Sequence, residues 1–307
     1  GQTQGIKGKN SGLVNEVFRL LRGTDVPHVL LENVPFILAL GRGHAMRHVT
    51  SELEKLGYRW AYRVIDSRAF GLPQRRQRMY LLASRVLEPF EQMMTGNEPP
   101  DESVERHGRA CGFYWTEGVR GLGWAVDAVP TLKGGSTIGI ASPPAIWLPD
   151  GRIVTPEIRD AERLQGFTSE WTAAAEKVSR PGFRLKLVGN AVSVPAAQWI
   201  GQRLEGGPAE ADLRIYSFDA SGTWPAAAFG GPRQKPVGVD ISMWPVRYPR
   251  PGLAEFLNYE PKLLSLRATE GFLDRLQSSS LRYPPEFLNA LLRHVDRMKV
   301  QPELAVA

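Results

Sequence analysis

Cysteine is almost absent. Cys111 is the only one in 307 residues. That excludes an intrachain disulfide and leaves no cysteine cluster for a metal. A lone thiol fits a reducing, cytoplasmic setting. No apolar run reaches the length of a membrane span, so none is expected. A secretory leader is missing too, since the opening Gly1–Gly5 is polar and glycine-rich. There is no initiating Met, which points to a fragment or a processed chain. His44 and His48 stand four apart, a metal-ligand spacing on a helix. No Cys or carboxylate completes a site with them, so the reading is a surface pair and no metal. Internal repeats and low-complexity runs are also lacking.

What is present is a chain long enough for two domains with real cores. The net charge of +6 suits a polyanionic partner. Residues 11–22 have helical apolar spacing, with Ser11 as the expected N-cap. The spacing predicts a strand over 26–31, a helix over 43–56, a strand through Trp60, Tyr62 and Val64, and another over Met79–Ala83. This order argues for an α/β sheet layer. Residues 86–155 are rich in Gly, Pro, aromatics and charge, and read as a separate loop-rich lobe. Helical periodicity returns over 157–166 and 192–204. Gly206-Gly207-Pro208 reads as a boundary, and a tail over 205–307 carries two amphipathic stretches. Packing of those helices on the same chain is the default for a single apolar face.

Four segments carry chemistry. The apolar run Val29-Leu30-Leu31 leads into Glu32-Asn33-Val34, and Pro35 follows. Ligands of parallel α/β sheets bind beyond the carboxyl ends of strands. By itself Glu32 reads more often as a capping or surface acid. Gln74–Arg78 sets three guanidiniums in five residues before an apolar strand. With Arg78 in that strand, Arg76 shares its face, which suits a phosphate or a base carbonyl. A solvated basic edge is the usual fate of such a run. The others are Arg159–Phe167, which reads as a helix, and Gly189–Val192 before the last helix.

In this order the four segments resemble the second half of a DNA (cytosine-5) methyltransferase. The resemblance covers residues 1 to about 204, with Gly1–Phe18 similar to the second half of the catalytic loop and the helix after it. It implies a partial, Rossmann-like sheet of the S-adenosylmethionine-dependent methyltransferases, a small loop-rich target-recognition domain and a C-terminal helical extension. The implied domains are 1–85 for the second half of the catalytic domain, 86–155 for target recognition, 156–204 for the return, and 205–307 for a tail of unknown role. The implied activity is transfer of a methyl group from S-adenosyl-L-methionine to carbon 5 of a flipped cytosine in a specific DNA duplex, in a restriction–modification setting.

The resemblance also distributes roles. Glu32 binds the cytosine ring nitrogen and amine, and Arg76 and Arg78 orient the base and its phosphate. Asn33 fixes the local backbone. Arg159 and Arg163 form buried salt bridges that organise the recognition domain. Asn190 and Ala191 line the cofactor pocket. Thr131-Leu132 resembles the Thr-Leu signature of target recognition, and with Arg75 it is implied to contact DNA. Arg106, Arg109, Arg120 and Lys133 stand beside Phe113, Tyr114, Trp115 and Trp124, a composition suited to base edges and phosphates. Phe113 leans to core, and Trp124 reads equally either way.

The family's Pro-Cys dipeptide and its glycine-rich cofactor loop have no counterpart here. Cys111 falls inside the recognition lobe and reads as an idle thiol. The chain is therefore expected to be a fragment or one subunit of a split enzyme, inactive alone, with double-stranded DNA and a second chain carrying the missing half as partners. The rival readings are a non-catalytic DNA-binding remnant or specificity subunit and, less favoured, a tRNA cytosine-5 methyltransferase.

Overall fold

A computed structural model describes residues 12–101, 105–114, 122–134, 143–180, 182–206 and 213–300. Ser11, Trp115, Arg120, Gly207, Pro208 and the segment 1–11 lie outside the described residues. The helices are α1 (Gly12–Arg22), α2 (His44–Lys55), α3 (Pro89–Met93), α4 (Ile158–Leu164), α5 (Gly182–Asn190), α6 (Val194–Glu205), α7 (Leu253–Phe256), α8 (Leu266–Gln277) and α9 (Pro285–Val300). The strands are β1 (His28–Asn33), β2 (Arg59–Asp66), β3 (Gln74–Arg75), β4 (Gln77–Ser84), β5 (Cys111–Tyr114), β6 (Gly123–Val126), β7 (Val129–Pro130), β8 (Ala145–Trp147), β9 (Ile153–Thr155), β10 (Ile215–Ser217), β11 (Ala227–Gly231), β12 (Gln234–Val239) and β13 (Lys262–Leu263). They divide into two compact units, Gly1–Phe70 with Gln77–Pro100 and Pro195–Tyr248, and Gly71–Arg76 with Asp101–Val194 and Pro249–Ala307.

The first unit is a six-stranded sheet in the order β1-β4-β2-β11-β12-β10. β4 runs antiparallel to both β1 and β2, so those two run the same way. Alternation along β4 gives each face its own core. Met79, Leu81 and Ala83 join Phe18, Leu21, Met46 and Leu53 from α1 and α2. Tyr80 and Leu82 join Met93, Ala196, Trp199 and Ile200 on the other side. The expected helices and strands of residues 12–85 are present, but β1 runs on through Asn33. The tail also departs from the expected helical extension, because β11 pairs with β2 and widens this sheet. Gly230 is required there, since a Cβ would stand 2.6 Å from the Trp60 ring. The short run Ala227–Gly231 carries no readable period, which hid the strand.

The second unit replaces the expected loop-rich lobe with a five-stranded antiparallel sheet, β13-β9-β8-β5-β6. None of its strands exceeds four residues, too few for a period to show. One face packs Phe113, Trp147 and Ile153 against Phe272, Leu276, Phe287 and Leu291 of α8 and α9. The other packs Ile146 and Val154 against Leu132, Leu164 and Val188. Phe113 is thus core, and Trp124 contacts Phe287 with ring centroids 4.9 Å apart. By compactness, residues 156–194 fall with this second sheet, because α4 and α5 bury their apolar faces on it. The tail is shared, with 205–248 in the first unit and 249–307 in the second.

His294 of α9 is buried, with Nε2 2.8 Å from the carbonyl of Leu264 and Nδ1 unpartnered among the described residues. Burial pushes its pKa below the ordinary value, the Leu264 carbonyl opposes this, and Arg297 adds to it. The unfolded chain therefore takes up the proton first as pH falls. We predict that stability drops as pH falls below about 6.5, and that His294→Gln flattens the drop. Urea unfolding at neutral and mildly acidic pH, followed by helical signal, measures the difference.

Candidate active site

Glu32 stands near the end of β1, directly opposite Tyr80 on β4. β1 is an edge strand with β4 as its one sheet neighbour among the described residues. Arg78, two residues before Tyr80, brings Nε to 2.9 Å from Glu32 Oε1. The pair is half-buried, with 12% of the arginine side chain and 28% of the glutamate side chain exposed. Burial pushes the Arg78 pKa below its ordinary value, and the Glu32 charge partly restores it. Arg78 also donates through Nη1 to the carbonyl of Gln77 at 2.7 Å. Asn33 turns its Oδ1 onto the amide of Val34 at 2.8 Å, the local backbone role expected of it. Pro35 then opens a 3-10 turn and ends the extended run. The result is a carboxylate oriented by a guanidinium and still open to a ligand.

Arg76 does not extend this face. Gln77 starts β4, so Arg76 falls in the break after β3. Its side chain is 2% exposed, in the second unit. Nη2 donates to the carbonyl of Ala191 at 2.6 Å, and Nη1 to those of Leu132 at 3.2 Å and Gly189 at 3.5 Å. Gln74 is fully buried beside it. Its amide donates to the carbonyl of Leu164 and to Gln165 Oε1, and its oxygen accepts from the amide of Leu132. Gln165 in turn donates to the carbonyl of Ala191 at 2.6 Å. Three of the four segments that carry the resemblance, together with Leu132, thus meet in one hydrogen-bonded cluster.

The Thr131-Leu132 pair belongs to that cluster. Thr131 Oγ1 donates to the carbonyl of Arg75 at 3.0 Å. Leu132, implied to touch DNA, is fully buried between Val129 and Val188, which excludes a DNA contact for its side chain. Arg75 is half-buried. Asn190 is exposed and is the last residue of α5, a helix the sequence reading did not anticipate. Ala191 is half-buried. Gly189 lets this turn lie on Lys133 and Gly134, since a Cβ would stand 2.2 Å from the Lys133 carbonyl carbon. A groove of about 340 Å³ runs along Ala191, Val188 and Leu187 to Phe167 and Trp171.

Arg163 pairs with the buried Asp160 at 2.5 Å, as expected, but Arg159 is 37% exposed on Glu157. The deeply buried pair is one the sequence reading missed, Arg184 with Glu162 at 3.0 Å. Burial alone would raise the Glu162 pKa, yet donors from Thr172 and Arg184 hold it below the ordinary value. Glu162 lies within the Arg159–Phe167 motif, so a buried acid needing a partner was the available signal. Cys111 is fully buried, and burial pushes its thiol up to about 11. His48 meets Asn15 Oδ1 at 3.0 Å, and no group of three or more metal-ligating side chains occurs among the described residues. No described helix is long and apolar enough to cross a membrane.

Comparison with known proteins adds an independent line. Residues 1–107 match the family described as C-5 cytosine-specific DNA methylase. The chain is 45% identical over 314 residues to the type II methyltransferase M2.BsuMI of Bacillus subtilis (strain 168), covering 97% of this chain and 79% of that protein. It is 32% identical over 84 residues to the type II methyltransferase M.MspI of Moraxella sp, covering 27% of this chain and 20% of that protein. The crystal structure of the S. pombe Dnmt2 methyltransferase superposes with a TM-score of 0.43 at 18% identity, covering 67% of this chain and 74% of that one.

The buried pair gives a direct test. Arg184→Leu leaves Glu162 inside the unit without its cation, so unfolding free energy should fall by about 3–5 kcal/mol. Urea denaturation of the variant beside the parent measures it, and a change below about 1 kcal/mol would mean Glu162 is held by its neutral donors.

Proposed function

The chain belongs to the C-5 cytosine-specific DNA methylases, S-adenosylmethionine-dependent enzymes that methylate DNA, and on that premise we propose that Glu32 and Arg78 are its base-binding pair. The observation that carries this is the 2.9 Å ion pair between a half-open carboxylate and a more deeply buried guanidinium. Carbon 5 of cytosine is a weak nucleophile. A thiolate adding to carbon 6 makes it an enamine, and the addition needs a proton or a strong hydrogen bond at ring nitrogen 3. Glu32 supplies that group and accepts from the exocyclic amine. Arg78 fixes the carboxylate and meets the base or its phosphate. The base reaches the pair only after leaving the duplex.

Arg76 takes a different part in this proposal. Its donors hold the turn at Gly189–Ala191, so it positions the cofactor motif instead of touching the base. The methyl donor supplies an electrophilic methyl group when bound. Asn190, exposed beside Ala191, would hold its polar end, and the buried Ser193 Oγ, unpartnered among the described residues, would offer a further acceptor nearby in sequence. Arg75, on the short β3–β7 pair, and Thr131, which follows β7, keep the DNA contact in this proposal. Leu132 serves by fixing their backbone from within the core. Double-stranded DNA is the proposed partner, favoured by the net charge of +6.

Cys111, the only cysteine, is buried and poorly ionised, which argues against it as the attacking thiolate. In this proposal the thiolate comes from outside these 307 residues, as in a split enzyme. The open edge of β1 supports it, since the strand has no Pro, Lys or bulge to discourage pairing. The same burial of Cys111 favours a second reading, a specificity subunit that binds DNA and performs no chemistry.

The isolated chain should transfer no labelled methyl group to cytosine-containing duplex. In the enzyme complemented with the polypeptide that supplies the thiolate, Glu32→Gln should slow methylation by about 10²–10⁴-fold with DNA binding nearly kept. Cys111→Ser should leave the rate unchanged. Near-normal turnover in Glu32→Gln removes the catalytic assignment. Duplex binding without transfer in every complemented form selects the second reading.

A further inference from the structure

The loop from Val34 to Gly43 joins the end of β1, where Glu32 stands, to α2. One buried side chain of the tail braces it at two points. The Trp224 amide donates to the carbonyl of Leu38 at 3.0 Å. Gly43 lies so near the Trp224 indole that a Cβ would stand 2.7 Å from the ring, and 2.1 Å from the Gly222 carbonyl oxygen. Ile37 and Leu38 pack into the core of the first unit. Beside these anchors the loop turns two side chains outward. Phe36 is 60% exposed on the 3-10 turn that Pro35 opens. Arg42 is exposed at a φ of 54°, between Gly41 at 60° and Gly43 at 77°. This left-handed region is costly for a residue with a Cβ. The Arg42 carbonyl accepts from Arg47 Nη1 at 3.1 Å, while its guanidinium has no partner among the described residues.

A braced loop that keeps a strained arginine and a bare aromatic ring in solvent is arranged for a ligand. That ligand is an anion with a flat or apolar flank. No carboxylate occurs between Glu32 and Glu52, so the charged side chains of this stretch are all basic. Nucleic acid has both parts, phosphates for a guanidinium and base faces for an aromatic ring. The loop leaves the strand that carries Glu32, so DNA that delivers a base to Glu32 comes against it. We propose that this loop grips duplex DNA beside the extruded nucleotide, with Arg42 on a backbone phosphate and Phe36 stacked on a neighbouring base. The assignment rests on the reading of Glu32 and Arg78 as the base-binding pair.

The test measures binding of the full chain to a labelled duplex with one mismatched cytosine, which leaves the stack at less cost than a paired one. Affinity is followed from low to high salt. Arg42→Asn removes the charge and tolerates the left-handed backbone. It should make the plot of log affinity against log salt shallower by about one, and Arg42→Lys should keep the parent slope. Phe36→Ala should weaken binding about tenfold with the slope unchanged. Both side chains are exposed, so neither change removes packing from the core. The parent slope in Arg42→Asn overturns the phosphate contact. The parent affinity in Phe36→Ala overturns the stacking contact. A parent chain that ignores the duplex at low salt overturns the surface as a whole. Turnover of Glu32→Gln tests the base-binding reading separately, so a failure of one is told apart from a failure of the other.

Discussion

Two donors meet on one carbonyl oxygen. The buried guanidinium of Arg76 and the buried amide of Gln165 both bind the carbonyl of the half-buried Ala191 at 2.6 Å. Buried polar groups must find partners or lose more than a kcal/mol each. That requirement links segments far apart in sequence. Gln74 reaches from β3, Arg76 from the break before β4, Leu132 from the segment after β7, Gln165 from the end of α4, and Ala191 from the end of α5. Loosening any one strands donors or acceptors on the others. The turn at Gly189–Ala191 therefore has its shape dictated by residues from other segments.

The same logic separates two arginines that stand two residues apart in sequence. Arg78 sits on a regular strand, where pleating and register bring it to a carboxylate on the neighbouring strand. Arg76 sits where the strand is interrupted and its guanidinium is drawn into a nest of carbonyls. A guanidinium has five donors in a fixed plane, which makes it equally apt for a ligand and for scaffolding. Which use it finds depends on the acceptors within reach, and those are set by the backbone break.

The tail shows how a chain without recognisable motifs becomes structural. Its β11–β12 hairpin widens the sheet of the first unit, and its α8 and α9 cover one face of the second. Five short antiparallel strands expose a large apolar face for their length, and helices are the economical cover for it. Phe272 and Phe287 fill that role with rings 5.1 Å and 4.9 Å from Phe113. The five-stranded sheet and the tail are one folding problem, although some hundred residues of other structure intervene between their sequences.

Local sequence determined the long, periodic elements. α2, β2, β4, α4 and the amphipathic pair α8 and α9 were legible because apolar spacing over eight or more residues, or a motif on a short helix, is a strong signal. It also determined that Cys111 is a lone thiol, and it singled out Glu32, Arg78, Asn190 and Ala191 as candidates through ordered motifs. What it did not contain was the direction in which each polar side chain would turn. Whether Arg76 served a ligand or the fold, whether Leu132 faced DNA or core, and which acid Arg184 would pair with were decided by neighbours at separations of about twenty to over a hundred residues. The strands of two to five residues were equally beyond a local reading. Their existence depends on pairing energy from partners elsewhere in the chain, and that energy appears only when the tertiary structure brings the partners together.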